Sequence, residues 1–440
     1  PMGSFLYAVN HQLDNLDVID LRLDSPTYRT ISTRLPQQTN PVDVALSPDG
    51  LFAYVIVESD QRLVINTVGA GPMLSSLSRR SGPIGTKVVL AGVDFTNGTV
   101  SFNGVPATID RADDTSLTVT VPSGATSGPV MVLGDDDGEV SNGIGFEVLD
   151  SSPAGVLRLA SSLQPQGLPP LAGTLSASSN DRILAVGGQD GRIYLQDVDP
   201  GSMDFNQFIG ETYPLAGPIA DLKVAPDGLS VFAVTSAASE VAMFNINPGS
   251  ASFEGQVTTV NLDTAAPEYL AVSPDGRYVL ATDPAGNQVH IVNWADAASQ
   301  AVNLTAPGRI AFHPEGQYAY VLTPGEVVVL NLITGDPGFG GNAGTATLPG
   351  SATDLVFGPD GSRCYVLTGA GDRSLVTLDT SNPVSPATVG SVVIPSTAAA
   401  MAERLTLSPA GDRALLNIRD DGLVLVDLLT GEFTIQPDLV

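Results

Sequence analysis

Residues 267–279 read Pro267-Glu268-Tyr269-Leu270-Ala271-Val272-Ser273-Pro274-Asp275-Gly276-Arg277-Tyr278-Val279, and this stretch decides the fold. A short apolar strand runs into Ser-Pro-Asp-Gly, where proline presets φ and Asp-Gly supplies a tight reversal. A second apolar strand, Tyr278 to Thr282, leaves the turn, and a third, Val289-His290-Ile291-Val292-Asn293, follows a polar break. The runs are rich in β-branched and aromatic residues and are bounded by Pro, Gly, Asp or Asn, so they predict strands. Only Ala295 to Gln300 and Ser396 to Glu403 have a brief helical look.

The same unit recurs along the chain. Turns start at Ser47, Ser178, Ala225, Ser273, His313, Gly358 and Ser408, and from Ser178 onward they stand 40 to 50 residues apart. Such a period suits four strands and their connections, the signature of a sheet-based repeat fold. Phe5-Leu6-Tyr7-Ala8-Val9 and Leu16 to Leu21 form a further hairpin with no first strand before it. The count predicts an all-β propeller of eight blades, closed by a strand from the tail Phe433 to Val440; seven blades is the alternative.

The repeats, 267–279 above all, resemble those of the bacterial YVTN and lactonase-like β-propellers. That resemblance implies a bacterial propeller from a group that includes binding proteins, enzymes and surface-layer components. Between Ser47 and Ser178 the spacing is about 80 residues too long for one repeat. Gly82-Pro83-Ile84-Gly85-Thr86-Lys87-Val88-Val89-Leu90, Val100-Ser101-Phe102-Asn103-Gly104-Val105-Pro106 and Ser141-Asn142-Gly143-Ile144-Gly145-Phe146 fill the excess. These segments resemble the IPT/TIG family of immunoglobulin-like domains. The expected organisation is propeller over 1–71, inserted module over 72–150 and propeller again over 151–440. The insert follows a third strand, Leu63 to Val68, and precedes Gly155 to Ala160, read as the fourth, so it should sit on the face of the Ser-Pro-Asp-Gly turns.

Composition limits the partners. With 47 acidic and 19 basic residues the net charge is −28, which repels nucleic acid. Only two residues, Lys87 and Lys223, are lysines. Apolar runs are too short to span a membrane. The opening Pro1-Met2-Gly3-Ser4 has the look of a cloning remnant, so nothing is read from the lack of a signal segment. The single cysteine, Cys364, lies in the apolar run Arg363 to Leu367 and reads as a buried structural thiol.

No nucleophile elbow, zinc helix, Cys-x-x-Cys pair or phosphate loop is present. His11, His290 and His313 fall at three different strand positions, and Gly335 to Gly344 reads as an outer-blade loop. Gly134-Asp135-Asp136-Asp137-Gly138-Glu139 resembles a fragment of a calcium loop without its distal glutamate, and reads first as a surface hairpin. One position remains, four residues before each turn: Asp43, Thr174, Asp221, Tyr269, Arg309, Asp354 and Arg404. These should ring the mouth of the central channel, polar either because they face water or because they hold a ligand. The candidate ligand-binding residues are therefore Asp43, Asp221, Tyr269, Arg309, Asp354 and Arg404.

Two functions follow as expectations. One is a non-enzymatic binding or scaffold protein, secreted or at the cell surface, that docks a protein or carbohydrate partner. The other is a hydrolase resembling propeller lactonases, with a cation, calcium being the candidate, among the mouth carboxylates.

Overall fold

The computed structural model describes residues 5–10, 15–20, 28–36, 41–46, 52–57, 62–67, 71–134, 140–149, 171–178, 182–199, 202, 204–247, 250, 253, 255–263, 266–369, 373–394, 402–418 and 422–436. Among them there is no helix. The chain divides into two compact units, 1–73 with 136–139, and 74–135 with 140–440.

The larger unit holds six four-stranded antiparallel sheets in chain order, spanning 171–211, 219–261, 269–303, 310–347, 352–393 and 402–436. Each is a propeller blade. The first strands of successive blades are neighbours, so they line a common channel.

Burial is greatest in the second and third strands and least in the outermost, as the blade 269–303 shows. Tyr278–Asp283 is buried at every residue and Gln288–Asn293 at its four central ones, whereas Ala298–Asn303 is almost wholly exposed. The middle strands are packed on both faces, which is why they read as unbroken apolar runs. Every pair of successive blades shares its own apolar layer, for example Val279, Ala281 and Val292 with Phe232, Val234 and Val241. Cys364 lies in one of these layers, fully buried, and burial pushes its thiol pKa well above the ordinary range.

Two sequence expectations are corrected. Ala298–Asn303 is a strand, paired along its whole length with Gln288–Asn293, and the end of the second stretch, 402–403, belongs to the strand Ala402–Leu407, while 396–401 lie outside the described residues. At 298–303 alanine-rich composition mimicked helix because an exposed outer strand needs no apolar alternation. Phe433–Gln436 does not supply a missing strand elsewhere: it pairs with Leu423 to Val426 as the fourth strand of its own blade. The turn at Gly431, with φ near 74° and its N–H on the Asp427 carbonyl, folds the chain straight back.

The described strands of the module, within 73–133 and 144–148, form two packed sheets. Val88, Leu90, Leu117 and Val119 face Phe102, Val130 and Phe146 across one core, with Phe102 and Phe146 in edge-to-face contact at 5.2 Å. The module sits on the turn face of the six blades. Lys87 donates its backbone N–H to the Pro359 carbonyl at 2.9 Å and its ammonium to Glu315 at 3.5 Å, while Arg277 reaches Thr115 at 3.1 Å.

The smaller unit contains two three-stranded sheets, Phe5–Asn10 with Asn15–Asp20 and Ile31–Pro36, and Pro41–Leu46 with Phe52–Val57 and Arg62–Thr67. Leu16, Ala53, Val55 and Val57 form its buried core. The expected fourth strand 155–160, the hairpin 135–139 and His11 lie outside the described residues.

Candidate functional site at the channel mouth

The inner strands of the six blades begin at the channel mouth; of the five first strands in the two units whose pairing shifts register near its start, three place an aspartate just after the shift. The pairing shifts register between Pro41 and Asp43, Ile219 and Asp221, and Ala352 and Asp354; Ala402 and Arg404 repeat the bulge with arginine. A bulge turns its residue out of the regular alternation and aims the side chain anew. In each aspartate case the carboxylate accepts the N–H of the following residue: Val44 at 2.9 Å, Leu222 at 3.0 Å and Leu355 at 2.9 Å.

The second carboxylate oxygen crosses to the next blade. Asp221 Oδ2 accepts the N–H of Leu270 at 2.9 Å, and Asp354 Oδ2 accepts that of Leu405 at the same distance. Asp221 Oδ1 also takes the Thr174 hydroxyl at 2.9 Å and the Lys223 ammonium at 3.2 Å, so one buried side chain joins three successive blades. Charge-assisted bonds of this length are strong, and they satisfy the carboxylates from within the scaffold.

The structure brings Thr174, Asp221, Tyr269, Arg309, Asp354 and Arg404 to the wall of one cavity of about 530 Å³. Asp43 belongs to the smaller unit, at the corresponding strand position, and is exposed. Arg309 lies over the Tyr269 ring, 4.5 Å from its centroid, and its Nε is 3.8 Å from Asp354 Oδ1. Burial raises the Asp354 pKa above the ordinary carboxylate value, opposed by Arg309 and by the two backbone N–H bonds. Tyr269 is also pushed up, again mainly by burial. Arg404 differs from its neighbours: its Nη1 is shielded from solvent and has no hydrogen-bond partner among the described residues.

At the far end of the same strands the Ser-Pro-Asp-Gly turns hold the blades together by packing. Their last glycines, Gly228, Gly276, Gly316, Gly361 and Gly411, have φ between 71° and 77°, which an L side chain resists. A Cβ on Gly276 would stand 3.8 Å from the Pro226 ring of the preceding turn, on Gly316 3.6 Å from Pro274 and on Gly361 3.4 Å from Pro314; on Gly411 it would overlap Pro359. The repeated proline and glycine are thus two halves of one blade-to-blade contact. His313 adds a polar staple, its Nε2 3.1 Å from the Gly361 carbonyl and its Nδ1 accepting the Glu315 N–H at 3.3 Å.

Comparison with known proteins agrees with both parts of this architecture. Residues 72–148 match the IPT/TIG domain family. A crystal structure of the β-propeller domain of Cps50 (Swd1) from Myceliophteria thermophila is similar to the chain with a TM-score of 0.51 at 12% identity, covering 62% of this chain and 87% of that one. This likeness is one of fold. No curated protein matches the chain.

Proposed function

We propose that this chain is a binding and scaffold protein acting outside the cytoplasm of a bacterium, with an eight-bladed propeller of the YVTN type over 1–71 and 151–440 and a guest module over 72–150. The mouth cavity receives part of a protein or carbohydrate partner. The observation that carries this reading is the bonding of Asp221 and Asp354: their oxygens are occupied by backbone N–H groups of their own and the next blade. A hydrolase of the lactonase-like kind would use such carboxylates as ligands of a cation. Here they are blade tethers, and Tyr269, Arg309 and Arg404 line the cavity together with Lys223. Arginine donors beside an aromatic ring suit a partner rich in hydrogen-bond acceptors.

Calcium titration followed by thermal unfolding tests this. The expected result is no shift at micromolar calcium and no turnover of lactones. A large upward shift that Asp221→Asn abolishes would overturn the scaffold reading in favour of the hydrolase.

A further inference from the structure

A second cavity of about 420 Å³ lies at the turn end of the channel, beneath the module. Its propeller wall is mostly apolar: Val224, Val272, Phe312, Val356 and Phe357 with the turn prolines. Its charged groups are Arg79 and Lys87 of the module and Lys223 of an inner strand, with no carboxylate on the wall. In a chain of net charge −28 that has two lysines, both face this one cavity, together with an arginine.

The three cations are not equally compensated. Lys87 is 2.8 Å from Asp110 and 3.5 Å from Glu315, and Lys223 is 3.2 Å from Asp221, all carboxylates set back from the cavity. Arg79 has no ion pair among the described residues, and its Nη1 is shielded from solvent without a hydrogen-bond partner. Burial with no counter-ion holds its guanidinium below the ordinary arginine range. A half-buried guanidinium with no counter-ion is costly, and an anion on its cavity-facing side would offset that cost. Lys223 and Val356 also line the mouth cavity, so the two cavities share part of their wall.

We infer that the cavity under the module is a binding site for a small organic anion, a monocarboxylate with an apolar body, its head on Arg79 and its body against the Val272, Phe312 and Phe357 wall. One uncompensated cation calls for one negative charge, and an apolar wall opposite it calls for more than a bare inorganic anion. The volume lies in the range of sites for small metabolites, about 300–1,000 Å³.

Phenylacetate serves as the probe, with phenylacetamide as its neutral counterpart and inorganic phosphate as an anion lacking the apolar body. On the whole chain, isothermal calorimetry should show saturable phenylacetate binding, with the amide and phosphate each weaker by about tenfold or more, as loss of a charge-assisted bond or of apolar contact implies. Arg79→Met should abolish the difference between acid and amide while leaving the ligand-free unfolding temperature unchanged or higher, since it removes an unpaired buried charge. Arg79→Lys, which keeps the charge and loses the fork, should bind phenylacetate with intermediate strength. The inference is overturned by absence of phenylacetate binding at millimolar concentration, by equal binding of the amide, by phosphate binding as tightly, or by Arg79→Met binding as the parent does. Failure of both Arg79 variants to fold would assign Arg79 to the scaffold and overturn it as well.

Discussion

The two ends of the channel are built from the same inner strands yet hold their blades in different ways. At the mouth the links are charge-assisted hydrogen bonds: Asp221 and Asp354 accept backbone N–H groups of the following blade. At the turn end they are steric, proline against glycine, with His313 as the polar exception. Where packing joins the blades, Arg79 stands over the cavity with no ion pair among the described residues, while Lys87 beside it pairs with Asp110 and Glu315. Where carboxylates join them, the mouth presents Arg309, Arg404 and Tyr269 to a partner, with Lys223 beside them. In both places the nitrogen without a partner belongs to an arginine, Arg404 or Arg79, although the chain as a whole is strongly acidic. Net charge describes the surface; it does not describe the cavities.

The sharpest way to break this contrast is at Asp221. Asp221→Ala orphans the Leu270 and Leu222 N–H groups, the Thr174 hydroxyl and the Lys223 ammonium at once. Removing one side of such a buried set costs about 3–5 kcal/mol. Asp43→Ala removes an exposed carboxylate whose described bond is to the adjacent N–H, and should cost about 0.5 kcal/mol or less. Urea unfolding of the two variants measures the difference. Equal losses would show that the aspartates are not tethers, and would return them to the pool of candidate ligand groups.

A smaller effect is expected from excising the module. Replacing 72–150 with a short Gly-Ser linker removes the Lys87 contacts with Pro359 and Glu315 and the Arg277 contact with Thr115. Partly exposed contacts of this sort contribute about 1–3 kcal/mol together. The six blades keep their own inter-blade layers, so a cooperative transition should persist at somewhat lower denaturant. Loss of soluble protein or of cooperativity would show instead that the module completes the core.

Much of the fold was legible because the repeat exposes its chemistry: Ser-Pro-Asp-Gly names the turn, and the doubly buried middle strands are apolar throughout. The outer strands were not, since Ala298–Asn303 faces solvent and carries no strand pattern. Five of the six candidate mouth residues do meet at one cavity, because a shared offset from the turn is a shared height along the channel. What the sequence concealed was the second oxygen of each aspartate. Its partner is a backbone N–H some 50 residues away, and a backbone donor leaves no mark in the residue pattern. The cavity under the module had a signal of another kind, the rarity of lysine, which gains meaning because Lys87 and Lys223 line the same cavity.

The smallest expected effect tests the turn end by acid. His313 is held neutral, with Nδ1 accepting from the Glu315 N–H and Nε2 directed at the Gly361 carbonyl. Desolvation lowers its pKa below the ordinary 6.5, against the pull of Glu315, Gly361 and Asp360 and helped by Lys87. The unfolded chain therefore binds a proton that the folded chain refuses, so stability is full above about pH 6.5 and is lost as the pH falls from there through the folded value. His290 adds a loss of the same sign, its pKa also lowered by burial. Asp354 acts oppositely, because a carboxyl with a raised folded pKa gains relative stability on protonation. The separate share of His313 appears in His313→Gln, whose amide can donate to the Gly361 carbonyl and accept no proton. Its unfolding free energy should lie below that of the parent at pH 7.5 and converge on it as the pH falls from 6.5 toward 5. Parallel curves for the two proteins over that range would show that His313 does not titrate with folding, and that the turn end is held by proline and glycine alone.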